Sequence, residues 1–353
     1  MYKRKKRKAK LNYFRVGVAV SLLVLIIIGI VFIFNSCSGD KQADSQPADL
    51  SVPPTEASES VDLTEPTTEL QVATMPIVFY PELTENSVTL PPDYDSKYAI
   101  LMDADTGEII AYRNYNTRMF PASLTKVMTL IVALENIDDL SDTVLITSDM
   151  VDPMVEAHAS RAGFLPGETP TLEQLLYGVI LPSGADATLA VAQYVSGSEE
   201  AFVKLMNDKA EEMGLKNTHF TNASGLHNDN HYSTAEDMAL ILQYALDDPK
   251  GREILSTYQY QVPPTEFNPE GLMLTSTVFS RMTGEEMPNV TIKGGKTGFT
   301  DEAGQCLETF AEINGKTYIM VLAGGVSKWQ IVYNTLSGYS IYCADGEAYI
   351  PPK

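Results

Sequence analysis

Strand-forming patterns stand at both ends of the region from Tyr98 onward, and helical patterns fill its middle. Tyr98-Ala99-Ile100-Leu101-Met102 and Ile109-Ile110-Ala111-Tyr112 flank Asp103-Ala104-Asp105-Thr106-Gly107, which reads as two strands around a turn. Near the other end, Thr309 to Ile313 and Thr317 to Leu322 flank Asn314-Gly315, a strong hairpin signal, with Val290 to Lys293 as a further strand. Between them, Thr171-Leu172-Glu173-Gln174 forms a capping box ahead of Leu175, Leu176, Val179 and Ile180, and a second helix is predicted between Ser198 and Gly214. Trp329, Val332, Tyr333, Leu336 and Tyr339 then repeat at helical spacing, so that one face packs on a sheet. This order implies an α/β fold in which both ends meet in one antiparallel sheet flanked by helices, with an all-helical lobe inserted and a cleft between the lobes.

The N-terminus has a different character. Lys3, Arg4, Lys5, Lys6, Arg7, Lys8, Lys10 and Arg15 precede an uncharged run from Val16 to Gly39. About 20 apolar residues match a hydrocarbon core of roughly 30 Å, and a basic flank stays cytoplasmic. The expectation is a cytoplasmic tail over 1–15, a single-pass transmembrane signal anchor over 16–37 and an extracytoplasmic remainder. A cleaved signal peptide fits less well, because the run is long and no A-x-A-like site follows. Lipid attachment at Cys37 also fits poorly, since Phe34-Asn35-Ser36 lacks the small residues that usually precede a lipidated cysteine.

Residues 38–95 are rich in Pro, Ser, Thr, Asp and Glu and read as an acidic extended linker, interrupted by the apolar stretch from Met75 to Tyr80. A globular domain over 96–345 and a short tail over 346–353 complete the expected organisation. The net charge is −21, and the first fifteen residues carry eight positives and no acid, so the rest stands eight lower at −29. Such a surface repels nucleic acid and excludes a basic-patch binding role. Three cysteines are too few and scattered for a disulfide framework or zinc cluster, and Cys306 and Cys343 are expected as buried thiols.

Three short motifs carry chemistry. Pro121-Ala122-Ser123-Leu124-Thr125-Lys126 leads into an apolar helical run, and the three-residue spacing puts the Lys126 amine on the same helical face as the Ser123 hydroxyl. Such a lysine acts as a base only when desolvation and nearby cations keep it neutral. The pattern alone is weak: Ser38-Gly39-Asp40-Lys41 also fits it, and a capping serine beside a solvated lysine is the simpler reading. Pro182-Ser183-Gly184-Ala185-Asp186 lies between helical stretches, where Ser183 can project into a cleft or be a plain loop serine. Ile292-Lys293-Gly294-Gly295-Lys296-Thr297-Gly298-Phe299-Thr300 is a glycine-rich strand edge, able to pair with an extended peptide while Lys296 and Thr297 bind a carboxylate. A bulged edge strand with Lys293 as gatekeeper is its simpler reading.

In the order S-x-x-K, S-G-x, K-T-G these motifs form a specific set. From about Tyr98 to Cys343 the chain resembles the D-alanyl-D-alanine carboxypeptidases of the low-molecular-mass penicillin-binding proteins. Thr106-Gly107-Glu108, Leu175 to Gly178, Asn222 to Leu226, Ser233 to Ala239 and Lys296 to Gly304 extend the likeness. The resemblance implies a β-lactamase/penicillin-binding transpeptidase-like fold. It further implies hydrolysis of peptidoglycan stem peptides ending in D-Ala-D-Ala through an acyl-enzyme on Ser123, with β-lactams as covalent inhibitors and no cofactor. It implies Lys126 as base, Ser183 as proton relay, Lys296 and Thr297 on the terminal carboxylate, and Gly298 and Phe299 beside the substrate, with the N–H groups of Ser123 and Phe299 as oxyanion hole. One departure is Ala185, where the family usually has asparagine.

Other readings remain on the page. The first half-reaction is common to a D,D-transpeptidase, and the missing amide leaves room for a weakly catalytic, membrane-held wall-peptide binder. A class A β-lactamase needs a glutamate for deacylation; Glu286 has the right context in letters but lies only ten residues before Lys296. His227 and His231 are four apart, yet Asn228-Asp229-Asn230 between them favours a loop over a metal-binding helix.

Overall fold

The computed structural model describes residues 79–285 and 287–351, so the basic tail, the apolar run 16–37 and most of the linker lie outside the described residues. Strands β1 (Glu82–Thr89), β2 (Tyr98–Asp103) and β3 (Glu108–Arg113) come from the N-terminal side. A separate ribbon of β4 (Gln259–Val262) and β5 (Leu272–Thr275) precedes β6 (Thr291–Thr300), β7 (Gly304–Ile313) and β8 (Lys316–Gly325). The main sheet has the order β1-β3-β2-β8-β7-β6, so the two ends of the domain join where β2 pairs with β8. Asn114 closes this join from the side by donating to the Lys97 carbonyl at 2.9 Å.

The inserted lobe holds α1 (Lys126–Asn136), α2 (Ser148–Glu156), α3 (Leu172–Ile180), α4 (Ala185–Ser196), α5 (Glu199–Glu212), α6 (Ala235–Asp247) and α7 (Pro249–Ser256). Two further helices, α8 (Thr277–Met282) and α9 (Gln330–Cys343), belong to the sheet side. Local signals explain several boundaries. Thr171 and Gln174 exchange both capping-box hydrogen bonds at the start of α3, and Ser198 accepts from the Ala201 N–H to start α5. Asn314 and Gly315 adopt φ of 52° and 78°, as a two-residue hairpin between β7 and β8 requires.

The sheet is buried on both faces. Ile100, Met102, Cys306, Phe310, Ile319 and Val321 join the core of the helical lobe, and alternate residues Leu101, Leu307, Ala311, Met320 and Leu322 meet Ile331, Val332, Leu336 and Tyr339 of α9. Full burial of each large apolar side chain contributes roughly 1.5–3 kcal/mol, so these two layers fix the strand register that presents β6 to the lobe.

Two expectations need correction, the extent of the linker and the burial of both cysteines. Residues 82–89 are not linker: they form β1, which runs parallel to β3 at the sheet edge, so the folded part starts upstream of residue 96. The preceding residues are held too, since the Phe79 N–H donates to Gln243 Oε1 at 3.1 Å and the Tyr80 hydroxyl to the Met213 carbonyl at 2.8 Å. The strand expected to carry the K-T-G motif is found, as β6 from Thr291 to Thr300. Cys306 is buried, but Cys343, at the end of α9, is only half-buried.

Candidate active site

The nucleophile candidate is presented by a tight turn. Ala122–Thr125 forms a single turn of 3-10 helix, and α1 begins at Lys126, so Ser123 stands just ahead of the helix expected to contain it. Residues Lys126 to Ala133 are all buried, which anchors the turn on the lobe core. Opposite it, Gly225 has φ +82°, and a Cβ there would lie 1.9 Å from the Ala122 carbonyl oxygen. Only glycine allows the Asn222–Leu226 loop to press this close. Asn222 holds that loop by accepting from the N–H groups of Gly225 and Leu226 at 2.7 and 3.1 Å.

Loop and turn together place two acceptors around one amine. Lys126 Nζ donates to Ser123 Oγ at 3.1 Å and to the Ser224 carbonyl at 2.6 Å. Lys126 is 2% exposed, which rules out a solvated surface lysine. Burial brings its pKa down to about 7, against smaller opposing effects of Asp186 and Glu199. A substantial fraction is therefore uncharged near neutrality, as a base for a serine must be.

A second serine–lysine pair faces the first. Ser183 occupies left-handed backbone space at φ 65°, uncommon for a residue with a side chain. Its Oγ accepts from Lys296 Nζ at 2.8 Å, and the same amine donates to the Thr297 carbonyl at 2.8 Å. Asp186, in the first turn of α4, explains part of the second motif: its carboxylate accepts from the N–H groups of Ala162 at 2.7 Å and Gly163 at 3.0 Å. This clamp fixes the loop that closes the cleft on that side. Ala185 donates its N–H to the Ser160 carbonyl, and its methyl lines the cleft where an amide is usual in the resembling family.

The third motif completes the wall. A Cβ on Gly298 would approach Ser123 N and Pro121 O at 3.1 Å, so β6 runs directly past the nucleophile's backbone N–H. Thr297 Oγ1 pairs with Thr277 Oγ1 at 2.7 Å, and Phe299 is 52% exposed. Ser123, Lys126, Ser183, Thr297, Gly298 and Phe299 line one cleft of about 520 Å³, and the buried Lys296 reaches it through Ser183. All seven residues expected from the motifs thus converge. Lys293, by contrast, pairs with Glu312 at 2.8 Å outside the cleft, as the gatekeeper reading expects.

Sequence reasoning gave no role to Thr277, Arg281 or the Ser224 carbonyl, which all border the cleft. No motif announces the first two, and the carbonyl belonged to a Ser-Gly pair of a type that recurs along the chain. The histidines separate. His231 is buried against Thr125 Oγ1 and the Thr221 N–H, whereas His227 lies at the cleft rim near Asp229 and Glu302. Met287 and Asn289 lie in a turn before β6, and Glu286 is outside the described residues.

A mixed sheet, antiparallel except where β1 joins β3, with an inserted helical lobe and a buried lysine on a serine where they meet, defines a penicillin-binding-protein and β-lactamase-like fold. Within that class the chain belongs to the D-alanyl-D-alanine carboxypeptidase family of serine peptidases, whose pattern matches residues 84–326. The D-alanyl-D-alanine carboxypeptidase DacF of Bacillus subtilis is 36% identical over 235 residues, 65% of this chain and 58% of that protein. DacA of Escherichia coli K12 is 34% identical over 243 residues, 66% of this chain and 57% of its own length. This chain thus spans less than three fifths of these two curated relatives. The crystal structure of the Streptomyces K15 DD-transpeptidase superposes with a TM-score of 0.61 at 29% identity, covering 69% of this chain and 94% of that one.

Proposed function

We propose that this protein is a serine-type D-alanyl-D-alanine carboxypeptidase that removes the terminal D-alanine of peptidoglycan stem peptides and is acylated by β-lactams. The observation that carries the reading is the pair of buried lysine–serine contacts across one cleft, Lys126–Ser123 at 3.1 Å and Lys296–Ser183 at 2.8 Å. Neutral Lys126 accepts the Ser123 proton as Oγ attacks the carbonyl carbon of the penultimate D-alanine. The N–H groups of Ser123 and Phe299 hold the developing oxyanion, and Lys296 with Thr297 holds the terminal carboxylate. Collapse of the tetrahedral adduct breaks the peptide bond, and the proton on Lys126 passes through the Ser183 hydroxyl to the departing D-alanine nitrogen. Water then attacks the ester, Lys126 taking its proton and returning it to Ser123 Oγ as the acyl C–O bond breaks, which releases the shortened peptide and restores neutral Lys126.

A transpeptidase would transfer the same acyl group to an amine, a reading favoured by the likeness to the Streptomyces enzyme, which is named for that activity. The basic tail and the apolar run 16–37 support a single-pass protein of the bacterial cell membrane with its catalytic domain outside. Fluorescent penicillin should label the protein covalently and fail to label the Ser123→Ala variant; an unlabelled wild type would instead point to a non-catalytic wall-peptide binder. Mass spectrometry of a D-Ala-D-Ala pentapeptide incubated with an acceptor amine separates hydrolysed from transferred product, and tetrapeptide is the product expected.

A further inference from the structure

Lys296 faces a residue that no motif includes. Across the β6–β7 ladder its partner is Glu308, and directly opposed residues of an antiparallel pair project from the same face. Along β7 the neighbours confirm which face: Cys306 and Phe310 belong to the core under the helical lobe, whereas Leu307 and Ala311 belong to the core under α9. Glu308 therefore shares the cleft side of the sheet with Lys296.

Its condition there is costly. Glu308 is 0% exposed, and neither carboxyl oxygen has a hydrogen-bond partner, a state no other carboxyl among the described residues shares. Its opposite residue on β8 is Val321, so an apolar side chain would suit this layer better. Around Lys296 the picture is complementary. Lys126 from α1, when protonated, and Arg281 from α8 disfavour a charge on Lys296, Ser183 and the Thr297 carbonyl are neutral acceptors, and Glu308 from β7 is the carboxyl whose charge favours it.

We propose that Glu308 is a positioning residue that keeps Lys296 protonated, and so sets the highest pH at which the cleft grips a peptide by its terminal carboxylate. The proposal rests on the reading of Lys296 as the carboxylate-binding cation. Burial, Lys126 and Arg281 all push the Lys296 amine well below the ordinary lysine range, and Glu308 works against them. Burial in turn pushes the Glu308 carboxyl well above its usual range, and Lys296 opposes that shift. Each member thus favours the charged form of the other, against the larger effect of burial. Glu308 takes none of the hydrogen bonds that Lys296 makes: two Lys296 N–H groups go to Ser183 Oγ and the Thr297 carbonyl, and through Ser183 the amine reaches the cleft.

The test reads the charge directly. Carbon-13-labelled lysine in the full-length protein gives an NMR titration, in which the Lys296 resonance is the one missing from Lys296→Arg. In Glu308→Gln its midpoint should fall by about one pH unit or more, as expected on removing a nearby opposite charge, and in Glu308→Asp it should stay near wild type. In parallel, KM for a D-Ala-D-Ala pentapeptide should rise at a correspondingly lower pH in Glu308→Gln, while kcat below that pH and the unfolding temperature hold. An unmoved Lys296 midpoint overturns the role of Glu308. A midpoint that moves while KM does not follow it overturns the carboxylate-binding reading of Lys296, and the proposed pH limit with it.

Discussion

At the residue scale, acylation requires one amine buried deeply enough to lose its proton. Lys126 is brought down to about 7 chiefly by burial, and the acylating form is the neutral one. Activity limited by this group rises as pH increases through about 7 and falls below it, because protonated Lys126 cannot take the Ser123 proton. The acid limb of kcat/KM for the pentapeptide should therefore have its midpoint near that value. Lys126→Ala should lower the rate of penicillin acylation by about 10²–10⁴-fold, the usual contribution of a positioned general base. Pentapeptide hydrolysis across pH measures the first, and stopped-flow acylation with a fluorescent penicillin the second. An acylation rate in Lys126→Ala equal to wild type would remove the amine from the mechanism.

The same scale shows what the sequence made legible. S-x-x-K, S-G-x and K-T-G name six of the seven expected residues, and Phe299 follows directly on the third motif, because the chemistry needs particular side chains at particular short spacings. Glu308 was not legible: it sits in an apolar strand with no motif around it, and only the ladder register brings it opposite Lys296. Arg281 and Thr277 were hidden for the same reason, since their places at the cleft come from packing between distant segments.

Elements were legible where local chemistry and tertiary demand agree. The α3 capping box and the Asn314-Gly315 turn are cases where the local preference is also the observed structure. β1 escaped because Glu82-Leu83-Thr84-Glu85-Asn86-Ser87-Val88-Thr89 is almost wholly exposed and so carries no alternation to read. Its place comes from parallel backbone pairing with β3, to which the Thr84 and Ser87 hydroxyls add hydrogen bonds to the Glu108 carboxylate and the Ile109 carbonyl. The 3-10 turn at Ser123 likewise depends on Gly225, a hundred residues downstream, closing on Ala122.

One connection between elements has a measurable cost. His231 ties the segment before α6 to the Ser123 turn: Nδ1 accepts from the Thr221 N–H at 3.2 Å, so Nε2 carries the proton donated to Thr125 Oγ1 at 2.8 Å. Burial lowers its pKa from 6.5 to about 4, with His219, Lys126 and His227 adding to the effect. The unfolded chain then binds this proton more readily than the folded one between those two values. Stability should fall as pH drops through that window, by about 3 kcal/mol in all from this residue. Thermal unfolding from pH 7 to pH 4 should show a steeper decline for wild type than for His231→Gln. Equal slopes would mean that the histidine is not held neutral.

At the scale of the whole molecule, the two lobes act as separate arms of one site. The lobe supplies Ser123, Lys126 and Ser183, and β6 supplies Lys296 to Phe299, so the cleft exists only where β2–β8 pairing has brought the ends of the domain together. Lys316 reinforces that join by pairing with the buried Asp103 at 2.9 Å across β8 and β2. The charge distribution belongs to the same scale. Eight cations precede the apolar run, and the residues after the first fifteen carry a net −29, which disfavours crossing back through a membrane of anionic lipids. About 20 uncharged residues suffice to span the hydrocarbon, and the basic flank sets the orientation. The full-length protein should therefore stay with membranes after extraction at alkaline pH, and a chain starting at Asp40 should be released while keeping its penicillin labelling. Protease added to intact protoplasts should remove the labelled domain and spare the basic tail. Recovery of full-length protein in the alkaline supernatant, or a domain protected inside protoplasts, would refute the anchored, outward-facing arrangement.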